Sequence, residues 1–82
     1  MKHTEVFIAV VYYDNRKEIK SSQTLAEMQS ILEAEAIKTG NEAICHLYRS
    51  DLYGLRVPEN TTLLIIADEI KVVVEFLKKN IR

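Results

Sequence analysis

Little in this chain is specialised: its 82 residues include one cysteine, one proline, two glycines and no tryptophan. The single cysteine, Cys45, excludes an intramolecular disulfide and any cysteine-cluster metal site, and such usage fits a reducing cytoplasm. Gly40 and Gly54 each stand alone, so neither belongs to the glycine-rich loop that cradles a phosphate or dinucleotide. No linker or low-complexity tract interrupts the sequence, and a single small domain over residues 1–82 is expected. No run approaches the roughly 20 apolar residues that cross a bilayer, and no small-residue cleavage site follows the N-terminal apolar stretch, so no membrane partner is expected.

An excess of one charge is missing too. Eleven Lys and Arg stand against twelve Asp and Glu, net −1, which leaves no global positive field to draw nucleic acid or anionic lipid. The two histidines, His3 and His46, have no ligand spacing around them, so neither metal nor cofactor is expected. Cys45 and His46 are adjacent, but neighbours on a strand point to opposite faces and do not form a nucleophile–base pair. Glu33 and Glu35 are two apart on a predicted helix, which suits a solvated face and not an acid/base pair. With no catalytic set in view, the chain is not expected to be an enzyme.

What the sequence does have is a run from Val6 to Tyr13 without charge. As a strand it places Val6, Ile8, Val10 and Tyr12 on one face and Phe7, Ala9, Val11 and Tyr13 on the other, and neither face is made for water. Asp14 to Lys17 is turn-prone. Glu18 to Ser21 then alternates like a short edge strand, the alternative being a loop that runs directly to the next helix.

That helix is marked at both ends. Thr24 and Glu27 have capping-box spacing, Gly40 can take the left-handed conformation that ends a helix, and the predicted span is Leu25 to Thr39. Leu25, Met28, Leu32 and Ala36 form its stripe, widened by Ile31 and Ile37, with Glu35 lying away from it.

Glu42 to Arg49 alternates again, Ala43, Cys45 and Leu47 opposite Ile44, His46 and Tyr48. Ser50-Asp51 is the expected turn, Leu52 to Val57 the returning strand with a bulge or close approach at Gly54, and Pro58-Glu59-Asn60 the stop. Thr62 to Ala67 is a further apolar strand, expected beside the first. Asp68 is placed to cap a last segment whose spacing at Ile70, Val73, Val74, Leu77 and Ile81 predicts a helix, although its β-branched run also alternates acceptably as a strand.

These elements predict an α+β two-layer sandwich, a mostly antiparallel four- or five-stranded sheet with two helices. If both helices share one face, the other face of the apolar strands lacks cover. A second copy supplies it, and Phe7, Ala9, Val11 and Tyr13 are the expected dimer surface. Burying roughly 400 Å2 of apolar surface per chain is worth on the order of 10 kcal/mol before association costs. The alternative puts one helix on each face and leaves a monomer. The best polar constellation is His46, Tyr48 and Tyr53 with Arg49 and Arg56, residue types that suit a protein contact. The expected function is therefore a non-enzymatic, regulatory or inhibitory protein-binding module, a homodimer that engages another protein. A nucleic-acid or nucleotide-binding module using that Tyr/Arg face is the alternative.

One expectation is open to direct measurement. Thr24→Ala should lower the unfolding free energy by about 1 kcal/mol in urea denaturation, with an unchanged m-value.

Overall fold

The computed structural model describes residues 3–53 and 57–81, with side chains described over 5–51 and 61–81. Along the chain run β1 (His3–Tyr12), β2 (Lys17–Ser22), α1 (Leu25–Thr39), β3 (Ile44–Tyr53), β4 (Val57–Ala67) and α2 (Ile70–Asn80). The strands form one antiparallel sheet in the order β2-β1-β3-β4. Because β1 is antiparallel to both neighbours, β2 and β3 run the same way, and α1 carries the chain from one to the other past β1.

Both helices lie on the same side of the sheet. α1 packs over β1 and β2, α2 over β3 and β4, and the helices pack against each other. Their joint core is Met28 and Leu32 from α1, Ile70, Val73, Val74 and Leu77 from α2, and Phe7, Ala9, Val11, Cys45, Leu47 and Ala67 from the strands. The molecule is 18 Å through its thinnest dimension, which suits one sheet and a single layer of helices about 10 Å away.

The architecture is the expected α+β sandwich, with four strands. Several local expectations give way to it. Ser50-Asp51 does not turn, because β3 continues to Tyr53 and Asp51 pairs with Glu59. Nor does pairing stop at Pro58, which stands opposite Leu52 in the edge strand, where a missing amide hydrogen is tolerated. The proposed bulge at Gly54 falls outside the described residues. The Leu63-containing strand neighbours β3 and not β1, since a short hairpin keeps consecutive strands adjacent. Segment 70–80 is helical, and its apolar spacing outweighs the β preference of its valines.

On α1 the N-cap forms as expected: the Glu27 amide donates to Thr24 Oγ1 at 3.1 Å. The reciprocal half differs, with the Thr24 hydroxyl donating to the Glu27 carboxylate. Gly40 ends the helix at φ +87°. Ile37 does not widen the stripe but is 87% exposed.

The cap of α2 comes from a distant part of the chain. Asp68 does not supply it, and the N-cap Glu69 makes no side-chain cap bond. Instead Asn41, in the loop between α1 and β3, accepts from the Lys71 amide through Oδ1 at 2.7 Å and from the Ile70 amide through its backbone carbonyl at 3.1 Å. One residue thus ties the end of α1 to the start of α2 and satisfies two amides that a helix start otherwise leaves unpaired. Asn41→Ala should cost about 1 kcal/mol in chemical denaturation, while Asp68→Ala should change stability by less than about 0.5 kcal/mol.

Candidate functional site

Strand alternation sorts the sheet into two faces, and the helices cover only one. Phe7, Ala9 and Val11 of β1 are buried beneath them, and Tyr13 packs against the same core. The expected dimer surface is therefore the covered face, and that expectation is corrected. The uncovered face carries Ile8, Val10 and Tyr12 from β1, and register places Tyr48, His46 and Ile44 of β3 beside them in that order. Ile66 and Leu63 of β4 pair with His46 and Tyr48, and Ile19 of β2 pairs with Val10. Ile19 is 63% exposed and Ile66 53%; Tyr12, Ile44 and Leu63 are also exposed.

Where the end of β1 lies beside the start of β3, this face carries an aromatic cluster. The Tyr12 and His46 rings lie 4.9 Å apart between centroids, and His46 Nδ1 is hydrogen-bonded to the Tyr48 hydroxyl at 3.1 Å, the donor being set by the histidine tautomer. Among the described residues of the face, the one charged side chain is Lys17, at the outer margin opposite Tyr12. Toward the far end, Ser50 and Thr61 hydroxyls meet at 2.8 Å where the β3–β4 register shifts.

The expected constellation is divided by this geometry. His46 and Tyr48 share the open face. Arg49 points to the helix side, where its guanidinium donates to Glu5 at 2.9 Å and Asp51 at 3.1 Å. The side chain of Tyr53, and Arg56 altogether, lie outside the described residues. A sign of the true open face was present in β3 itself: Ala43, Cys45 and Leu47 are wholly apolar, whereas the alternate set includes a histidine and a tyrosine hydroxyl, which are better left near water. Once β3 is oriented that way, pairing carries Ile8, Val10 and Tyr12 to the same side.

Cys45 is fully buried on the helix side, away from His46, and burial pushes its thiol up to about 11. It is a core group and not a nucleophile.

Glu35 is the residue whose placement least resembles its expectation. Only 4% exposed, it accepts from the Tyr13 hydroxyl and forms an ion pair with Lys20 Nζ at 3.4 Å. Lys20 also meets Glu18 at 3.1 Å, and the Arg16 guanidinium stacks 4.3 Å above the Tyr13 ring. The Tyr13 hydrogen bond, with help from Lys20, holds the Glu35 carboxyl below the usual glutamate range despite its burial. Burial and the Glu35 hydrogen bond push the Tyr13 phenol up, and the Glu18 contact raises Lys20. This cluster fastens α1 to the β1–β2 hairpin, and it lies on the helix side of the sheet.

A carboxyl depressed by folding contributes stability above its unfolded pKa and loses it as pH falls through the folded one. Wild-type stability should therefore decline as pH drops below about 5. Glu35→Gln should cost about 1–3 kcal/mol at neutral pH and flatten that acid decline, as read from urea midpoints across pH. Among proteins of known family, curated function or solved structure, no family model, no protein and no structure matches this chain.

Proposed function

We propose that this chain is a small protein-binding module that acts as a homodimer, the open sheet face of one copy stacked on that of another. The observation that carries the reading is the open face itself: contiguous, apolar and tyrosine-containing, with its one described charge at the margin. Water is a poor partner for such a surface, whereas a second sheet stacked about 10 Å away is a common one.

The choice of a second copy rests on charge and size. A patch without charge at its centre presents nothing that repels its own duplicate, and a net charge of −1 adds little long-range repulsion. Four strands at about 4.8 Å spacing, each contributing about six or seven residues, give a footprint of roughly 400 Å2. That area forms the centre of a standard interface of about 800 Å2 per partner, with Lys17, Ser21 and Thr61 at its rim. A sheet and one helical layer built from 82 residues is also close to the lower limit of self-sufficient cores, so cover on the second face adds stability where it is scarce.

Light scattering over a dilution series tests this. Wild-type protein should show twice the 9.5 kDa mass of one chain. Ile44→Lys with Ile66→Lys should shift the protein to monomer with an unchanged circular dichroism spectrum, because both side chains are already exposed in the single copy. A wild-type protein that stays monomeric at about 1 mM, where only an association weaker than about 4 kcal/mol would escape detection, overturns the reading.

A further inference from the structure

We infer that the outer edge of β4 and the groove between it and α2 take up an extended segment of another protein as an added strand, one in which an apolar residue is flanked at alternate positions by two acidic ones. The inference does not depend on the homodimer, because it uses the sheet edge and the helix side and not the open face.

The two edges of the sheet differ. β2 is six residues long and carries Lys17, Glu18 and Lys20. Glu18 is engaged by Arg16 at 3.2 Å and by Lys20 at 3.1 Å, and Lys20 reaches Glu35 of α1 at 3.4 Å, which closes the gap between strand and helix. Charge of this kind keeps foreign strands off an edge. β4 has no such guard from Leu63 to Ala67, a stretch without a charged residue or proline. It pairs with β3 on one side, and among the described residues no strand lies on the other. Such an edge offers backbone N–H and C=O groups that an extended chain satisfies as a ladder, and this sets the class of partner. The extra residue at Leu64, where the β3–β4 register shifts, does not stop pairing on the inner side.

Beside that edge, on the helix side, lies a groove of about 440 Å3 lined by Ile65, Lys71, Val72, Glu75, Phe76 and Lys79. Ile65 and Phe76 are half-buried against the core and Val72 is 42% exposed, so the floor is apolar and accessible. Lys71, Glu75 and Lys79 recur at every fourth residue and share one face of α2. Lys71 meets Glu69 only at 3.9 Å, and among the described residues Lys79 has no carboxylate within ion-pair distance. The two lysines are eight residues apart, about 12 Å along the helix. In an added strand alternate side chains point to the helix side, and positions i and i+4 are about 13 Å apart. Acidic residues at those two positions therefore match Lys71 and Lys79, and an apolar residue at i+2 matches Val72 and Phe76. Glu75, between the lysines, repels a third acid at the middle position.

The test is titration of the end-blocked peptide Thr-Glu-Thr-Leu-Thr-Glu-Thr, and its counterpart with a central Phe, into isotope-labelled protein followed by amide chemical shifts. At least one should bind with a dissociation constant of about 1 mM or tighter, with the shifts concentrated in β4 and α2. Val72→Glu, at a side chain already exposed, should keep the circular dichroism spectrum and weaken binding about tenfold or more. Lys in place of both peptide glutamates should abolish binding. So should methylation of the backbone nitrogens of the central three peptide residues, which removes ladder donors in either register. The inference is overturned if neither peptide binds at about 5 mM, if the shifts lie elsewhere, or if binding survives Val72→Glu, the lysine exchange or the methylation. A light-scattering mass that Val72→Glu lowers assigns the edge to a second copy and overturns it as well. A wild-type monomer that binds the peptide overturns the homodimer and supports this inference.

Discussion

The two helices are held to one side of the sheet by contact with each other. α1 lies over β1 and β2 and α2 over β3 and β4, and between them Met28, Leu32, Val73, Val74 and Leu77 complete a core that neither helix closes alone. Asn41 fastens the start of α2 to the end of α1, so α1 leaves and α2 enters the helical layer at a common corner. Everything else in the molecule answers to this one-sided packing. The interior strand β1 is apolar on both faces: Phe7, Ala9 and Val11 join the core beneath the helices, Val6 is buried outside that core, and Tyr12 is left exposed.

Polar interactions are concentrated on the covered side. Tyr13, Lys20 and Glu35 join the first hairpin to α1, Arg49 bridges Glu5 and Asp51, and Lys78 reaches Glu33 between the helices at 3.8 Å. A buried carboxylate is costly unless it is bonded, and here it is bonded twice, which fixes how α1 sits on the hairpin. The open side has the opposite character. Its described side chains are mostly hydrocarbon, with His46 and the Tyr48 hydroxyl engaged with one another and the Ser50 and Thr61 hydroxyls paired toward one end.

A sheet face whose described side chains are mostly apolar, with Lys17 at its margin, is suited to another protein surface more than to a small molecule, which needs concavity. The division of the earlier Tyr/Arg constellation matters here. Arg49, held by two carboxylates on the helix side, does not join the tyrosines of the open face in the pairing that phosphate recognition would use.

By itself the sequence determined the α+β class, the limits of α1, and the fact that β1 has two apolar faces, while it left residues 70–80 open between helix and strand until the structure showed a helix. Each is local: caps act across one turn, and periodicity reads the face an element buries. Only the tertiary structure decided which face was covered, because Phe7-Ala9-Val11 and Ile8-Val10-Tyr12 are near equals in hydrophobicity and the choice depends on where α1 and α2 land. The burial of Glu35 and the cap from Asn41 were hidden for a related reason. Each depends on a partner 15 to 30 residues away, Lys20 and Tyr13 for the glutamate and Ile70 and Lys71 for the asparagine, and no local pattern encodes such a meeting.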